Sequence, residues 1–371
     1  MDAAALCGLV YSDRYLQHNP RNSVELPFVE PTLHPSNYRL LMRTKHLLDL
    51  TGLAQQLTLI EPYSATTDDV TAYHSPEYVR RVREICAAGG GETGEGAPAG
   101  PESYEIALLA AGGGMAAVDA VLGGAVRRAF ANIRPPGHHA MRDKGMGFCI
   151  FNNVVIAARH AQRTHGIERV LVLDWDVHDG NGTQDAFYGD SSVLFFSLHQ
   201  DRLYPTEYGL LDQQGAGEGL GYTVNLPLPA GSGDAAYLAA FEQIVRPIAD
   251  AFEPQLVLVS AGQDASTADP LGRMCVTTEG YRRMTQAMVD IAETHAGGRL
   301  AILQEGGYSE SYAPYCTLAI VETLAEQRTG IAEPLTAERL LARPETTTVG
   351  PSAETAIAQI RDVYRTYWPM L

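Results

Sequence analysis

The sequence predicts an α/β domain in which a parallel sheet carries helices on both faces, and three observations predict it. Short β-branched and apolar runs alternate with longer helix-like stretches along most of the 371 residues. The runs are apolar throughout, as strands covered on both sides must be. Polar residues able to do chemistry sit directly after them, at the strand ends where α/β sheets bind ligands.

In chain order, the helix-like stretch Ile106 to Val121 precedes a strand at Ala129 to Ile133, and Asn153 to Thr164 precedes a strand at Val170 to Leu173. Three further strands read at Val193 to Ser197, Leu256 to Ser260 and Leu300 to Leu303. Strand and helix patterns in alternation imply parallel pairing through helical crossovers. The Gly- and Glu-rich run Gly89 to Gly100 reads as a surface loop near an opening, too flexible for core and too short to link domains. No internal repeat is visible, and the chain after Thr329 reads as a mixed helical and loop finish with little chemical content.

Composition narrows the function classes. A 45% hydrophobic chain of this length can bury a sizeable core. Its formal charge of −17 repels phosphate backbones, arguing against nucleic acid as a partner and favouring cationic substrates. The cysteines Cys7, Cys86, Cys149, Cys275 and Cys316 are odd in number and never spaced Cys-x-x-Cys, so neither a disulfide framework nor a thiolate zinc site is indicated. The start, Met1-Asp2-Ala3-Ala4, has no basic segment followed by an apolar one, and no segment approaches the ~20 apolar residues that span a bilayer. The cytoplasm is the expected compartment, with no membrane partner.

The run Val170 to Leu173 leads into Asp174-Trp175-Asp176-Val177-His178, where alternation sends Asp174, Asp176 and His178 to one side. The strand at Ala129 leads into Arg134-Pro135-Pro136-Gly137-His138-His139, a rigid turn that can aim two adjacent imidazoles at one cavity. Leu256 to Ser260 runs into Gly262-Gln263-Asp264, and Leu300 to Leu303 into Gln304-Glu305-Gly306-Gly307-Tyr308. Singly, Asp264 reads as a helix cap and Tyr308 as a packed aromatic; convergent strand ends change that. Asp176, His178 and Asp264 form an oxygen/nitrogen ligand set suited to catalytic zinc, which takes three protein ligands and leaves a position for water. The His pair and Tyr308 suit the acid, base and oxyanion-donor duties of amide hydrolysis.

Arg134 to His139, Asp174 to His178 with Gly180-Asn181-Gly182-Thr183, Ser197-Leu198-His199, Asp264 with Asp269-Pro270-Leu271, and Glu305 to Tyr308 together resemble the histone deacetylase family. Trp175, Asn181 and Gln304 to Tyr308 are similar to its class II branch, in particular the bacterial histone deacetylase-like amidohydrolases. The likeness covers about residues 8–325 in order. It implies the arginase/deacetylase fold, a three-layer α/β/α arrangement around a mainly parallel eight-stranded sheet, with residues 1–371 forming one catalytic domain. It also implies zinc-dependent removal of acetyl or other acyl groups from amines by metal-activated water, Fe²⁺ being the alternative ion. Asp176, His178 and Asp264 would hold the metal and Tyr308 would bond the substrate carbonyl. His139 would be the base, oriented by Asn181, and His138 an electrostatic group leaning on Asp174. A carboxylate raises an imidazole pKa whereas an amide only orients the ring, so the pair should split.

The same resemblance implies structural K⁺. One ion would sit at backbone oxygens around Asp174, Asp176 and His178 with Ser197 and Leu198, and a second near Phe187, Asp190, Val193 and Tyr222. Gly147-Phe148 resembles one aromatic wall of the substrate channel, Tyr204 the opposing ring and Leu271 the rim; otherwise Phe148 and Tyr204 are core aromatics. Glu92 and Glu95 are positioned in the Gly-rich loop to meet a cationic chain. Gln263 stands where class II members mostly have Phe, Ser266 where many have His, and Asp179 where many have a second His. An arginase-type binuclear manganese site is the rival enzyme: Asp269 is available as an extra carboxylate, but Pro270 follows it and arginase-style paired aspartates are absent. An acetylpolyamine amidohydrolase, a noncatalytic acyl-amine binding protein and a homo-oligomer are the other readings.

Overall fold

The computed structural model describes residues 5–20, 23–335, 345 and 347–371. Its centre is an eight-stranded sheet of β1 (Ala5–Val10), β2 (Thr58–Ile60), β3 (Val126–Ala131), β4 (Val170–Asp174), β5 (Val193–Gln200), β6 (Thr223–Leu228), β7 (Leu256–Ala261) and β8 (Leu300–Gln304). The spatial order is β6-β5-β4-β7-β8-β3-β1-β2, and every pairing within it is parallel. Alternate residues of each strand enter different cores. Leu171 and Leu173 of β4 join Tyr237, Ile244, Met284 and Ile320 on one face. Val170 and Val172 join Val118, Val154 and Ala158 on the other. This period-two division is why the strands are apolar throughout, and it gives the three-layer α/β/α architecture of the arginase/deacetylase fold.

Helices α1 (Ser103–Leu122) and α2 (Asn153–His165) build one outer layer, and α3 (Thr278–His295), α4 (Ala313–Leu324) and α5 (Pro351–Tyr364) lie in the other. α2 starts at Asn152, whose side chain accepts from Val155 N, and stops at Gly166 in the left-handed conformation. The chain passes β4, β5 and β6 outward to one edge, then returns to place β7 on the other side of β4. That reversal puts the crevice for ligands between the carboxyl ends of β4 and β7. The register keeps those ends level: Asp174 pairs with Ser197 and with Ser260, and Ala261 pairs with Gln304.

Several sequence expectations change. The strand expected at Ala129 to Ile133 runs from Val126 to Ala131; its start was disguised by Arg127 and by Arg128, which is buried and paired with Glu293 at 2.7 Å and Glu326 at 3.0 Å. β1, β2 and β6 were not anticipated. β2 has only three partly exposed residues, and β6 is an edge strand interrupted by Asn225 and Pro227, a residue that edges tolerate. The Gly89 to Gly100 run is not loose. Gly91–Glu92 pairs with Pro98–Ala99, Gly94–Glu95 pairs with Gly145–Met146, and Thr93, Ala97 and Ala99 are buried. The chain after Thr329 ends in α5, which packs on β6; Asn225 N donates to the Tyr364 hydroxyl at 2.8 Å.

The expectation that no segment approaches membrane-spanning length also fails. α1 is 20 residues long with mean hydropathy 1.6, although 78% of that window is buried inside the protein. Three consecutive glycines permit that burial. A Cβ on Gly112 would strike Tyr63 O and lie 2.8 Å from Ala65 N; one on Gly114 would lie 2.9 Å from Leu303. Gly112→Ala is therefore expected to destabilise the protein by up to about 2 kcal/mol in urea unfolding, because backbone overpacking of about 1–3 kcal/mol is offset only by the ~1 kcal/mol helix-propensity gain. A stabilised variant would show that the 63–65 segment yields freely.

Candidate metal centre and apolar slot

The residues after β4 form a hydrogen-bonded staircase. Asp176 N donates to Asp174 Oδ1 and His178 N to Asp176 Oδ1, each at 3.0 Å, while Trp175 and Val177 turn into the core. Asp264 arrives after β7 and is tied to the staircase by Val177 N, which donates to Oδ1 at 2.8 Å. Asp176, His178 and Asp264 are all buried, and one ligand atom from each lies within 4.8 Å of the others. His178 Nδ1 faces both carboxylates, 2.9 Å from Asp176 Oδ1 and 3.3 Å from Asp264 Oδ2. One ring nitrogen can bear only one proton, and Asp264 Oδ2 has no other hydrogen-bond partner among the described residues.

The electrostatics match an unshared cation position. Burial raises the Asp264 carboxyl, and the adjacent Asp176 charge raises it further, to about 8. Burial also opposes ionisation of Asp176, but the neighbouring His138 and His178 rings overcome it and hold that carboxyl below its usual range. Burial pulls His178 down, yet its bonds to Asp176 and Asp264 lift it to about 10. A dication at the convergence of these three groups would relieve the carboxylates' repulsion and satisfy the orphan oxygen, so the donor set fits a zinc-type ion. Space at that point is preserved by Gly262 and Gly306: a Cβ on either would strike the Asp176 and Asp264 carboxylates.

The two imidazoles after β3 lie against each other, tilted by 38°, at 3.9 Å between ring centroids. His138 Nδ1 lies 2.9 Å from Asp174 Oδ2, and His139 Nδ1 lies 2.7 Å from Asn181 Oδ1. Burial depresses both, but Asp176 and Asp174 lift His138 well above the ordinary imidazole value. His139 stays well below it, through burial and the charges of His138 and His178. The turn that holds them is fixed by Glu305, whose Oε2 accepts from Gly137 N at 2.6 Å and His138 N at 3.1 Å. Sequence reasoning gave Glu305 no role of its own, although a carboxylate directly after β8 was its signal. Arg134 serves the same turn by donating to the carbonyls of His18 and Ser36 at 2.6 Å.

Above these groups opens a slot of about 370 Å³ whose lining includes His139, His178, Phe148, Tyr204, Leu271 and Tyr308. Tyr204 packs edge-on to His139 at 5.3 Å, and Phe148 to Tyr308 at 5.9 Å. Both rings therefore belong to the slot wall. Gly147, at φ +52°, has no room for a side chain, since a Cβ would strike His139 and lie 3.0 Å from Tyr204. Glu95 lines the slot and pairs with Lys144 at 3.0 Å, whereas Glu92 accepts from Ala97 N and is not among the residues lining the slot, so only one of the two expected acids reaches the rim.

Asp269 does not serve as a bridging ligand. Its oxygens accept from Leu271 N at 2.9 Å, Tyr308 N at 2.7 Å and Ser309 N at 3.1 Å, so it ties the rim and the phenol loop together. The Gln263 side chain is held by hydrogen bonds at both ends of its amide, donating to Ala261 O at 3.0 Å and accepting from Gln304 at 2.6 Å. Asp179 is buried 3.7 Å from His199 Nδ1, with neither oxygen hydrogen-bonded among the described residues. Nothing in the structure explains Asp179 or Ser266. Of the expected K⁺ neighbours, Ser197 Oγ lies 2.9 Å from His199 Nδ1 and Leu198 is buried beside it on β5. Phe187 O accepts from Asp190 N at 3.0 Å and Tyr222 O from Phe195 N at 2.9 Å, both near Val193 at the amino end of β5.

Gly306→Ala is expected to lower divalent-metal affinity about 10–100-fold in equilibrium dialysis while leaving the circular dichroism spectrum unchanged. Unaltered affinity would mean that the ion sits away from Asp176 and Asp264.

Residues 34–324 match the family model described as a histone deacetylase domain. A histone deacetylase-like amidohydrolase from Pseudomonas aeruginosa is 46% identical over 293 residues, covering 79% of this chain and 77% of the relative. A polyamine deacetylase, HDAC10, from Homo sapiens is 42% identical over 298 residues, covering 76% of this chain and 44% of the relative. The solved HDA15 HD domain superposes with a TM-score of 0.87 at 32% identity, covering 99% of this chain and 96% of that one. On these grounds the chain belongs to the histone deacetylase family.

Proposed function

We propose that the chain is a zinc-dependent deacylase that hydrolyses the amide of an acylated amine, either an acyl-lysine side chain or an acylated small amine. The observation that carries this reading is a cluster of three candidate metal ligands, one of which, His178, lines an apolar slot together with His139 and Tyr308. Asp176, His178 and Asp264 would hold the dication, whose chemistry there would be to polarise the acyl carbonyl and acidify a water.

The remaining chemistry falls to the chain. Asn181 Oδ1 accepts the Nδ1 proton of His139, which leaves Nε2 as the acceptor for the attacking water's proton. The depressed proton affinity of His139 keeps that nitrogen vacant at neutral pH. The same nitrogen then protonates the departing amine as the C–N bond breaks, releasing a carboxylate and an amine. His138, held by Asp174, places positive charge beside the negative charge that develops. Tyr308 donates its phenol proton to the carbonyl oxygen. Phe148 and Tyr204 confine the alkyl stem that carries the amide.

Structural K⁺ at the backbone oxygens of Asp174, Asp176 and His178 with Ser197 and Leu198, and at Phe187, Asp190, Val193 and Tyr222, belongs to the same reading and rests on family membership. Residues 1–371 are read as one catalytic domain, able to associate with its own copies. For substrate class, Glu95 at the rim favours a cationic chain, and a relative named as a polyamine deacetylase favours small acylated polyamines.

Release of acetate from acetyl-lysine peptides or acetylpolyamines is expected to vanish with a chelator and return with Zn²⁺; activity indifferent to chelation would remove the metal from the reaction. His139→Ala should lower kcat about 10²–10⁴-fold and Tyr308→Phe about 10²–10³-fold, both remaining folded. A wild-type rate in His139→Ala would strip that ring of its role as base. Comparing kcat/KM for acetylated peptides and acetylpolyamines, in wild type and Glu95→Gln, assigns the substrate class.

A further inference from the structure

We propose a second metal site, on the outer helical layer, in which Asp119, His160 and His165 take one transition-metal dication of the Zn²⁺ type. Asp119 lies near the end of α1, and His160 and His165 lie in the last turns of α2. α1 ends at Leu122, just before β3 begins at Val126, and α2 ends at His165, just before β4 begins at Val170. The cluster therefore sits toward the amino ends of the strands, opposite the slot, and shares no residue with the catalytic centre.

The side chains are aimed as ligands. His160 Nε2 and His165 Nε2 lie 2.6 and 2.7 Å from the same oxygen, Asp119 Oδ1, and the three ligand atoms fall within 4.8 Å of one another. Bonds of about 2.0–2.1 Å in tetrahedral geometry place ligand atoms roughly 3.3 Å apart, so a small outward movement admits an ion. Two imidazoles and one carboxylate are a donor set that zinc favours.

The groups behind the ligands are in place too. Tyr63 donates to Asp119 Oδ2 at 2.6 Å, fixing the carboxylate from its far side. Thr164 Oγ1 lies 3.3 Å from His160 Nδ1, engaging that ring's other nitrogen. Outer partners of this kind orient ligands and select the tautomer that leaves Nε2 free. The Asp119 and His165 side chains are 36% and 24% exposed, which opens a path for the ion, while His160 at 10% forms the inner wall. A bound ion would cross-link α1 to α2, the layer packed against β3 and β4, and so would stabilise the folded state by linkage.

The test is the zinc content of metal-stripped protein after equilibrium dialysis against buffered Zn²⁺, compared between wild type and His160→Gln/His165→Gln. Wild type is expected to hold one ion more per chain than the double variant, a difference that does not depend on what the catalytic centre binds. Equal counts would overturn the proposal and leave the cluster a hydrogen-bonded clamp in which both rings donate to Asp119. If the double variant fails to fold, His165→Gln alone, at the partly exposed helix end, should weaken the extra ion's affinity at least about tenfold, and unchanged affinity would equally overturn it. Amide hydrolysis by each variant serves as the folding control.

Discussion

Two carboxylates, Asp176 and Asp264, are held against each other in the protein interior, and the arrangement of the site follows from that confinement. Like charges at about 4 Å repel by roughly 4 kcal/mol at an effective dielectric of 20, so the chain must hold them by other means. It uses backbone N–H groups: Val177 donates to Asp264, and His178 and Gly306 donate to Asp176. Those donors are set by the register of β4, β7 and β8, whose cores on both faces leave the strand ends little freedom. Residual repulsion would favour a cation at that position.

The neighbouring histidines inherit their difference from the same arrangement. His138 touches the carboxylate at the end of β4 and is drawn toward the cationic form; His139, one residue on, has the Asn181 amide at its Nδ1 and is drawn toward the neutral form. Glu305 and Asp269 act through the backbone. One fixes the turn bearing the histidines, and the other joins Leu271 at the rim to the loop bearing Tyr308. Glu305 is buried and Asp269 half-buried, and their oxygens are taken by backbone N–H groups and, for Glu305 Oε1, by the Ser260 hydroxyl, so their task is positional.

What the sequence revealed and what it hid have physical causes. Fully buried strands announce themselves as apolar runs, and β4, β5, β7 and β8 were legible for that reason, as were the polar residues after them. β1, β2 and β6 lie at or near the sheet edges, where a glycine, a proline, an asparagine or partial exposure breaks the pattern. Burial of α1 on all sides gave it the composition of a membrane span, which only its packing distinguishes. Glu305, Asp269 and Gln263 were visible as residues, but their hydrogen-bond partners are distant in sequence. The Asp119, His160 and His165 cluster was hidden similarly, because its members are split between two helices, with the histidines 41 and 46 residues beyond Asp119.

The most direct measurement is anomalous scattering at the zinc absorption edge from crystals of zinc-loaded protein. A single peak bounded by Asp176, His178 and Asp264 is the expected result at the slot floor. No peak there, or a pair of peaks about 3.5–4 Å apart as in binuclear hydrolases, would contradict a lone ion held by two carboxylates and one imidazole.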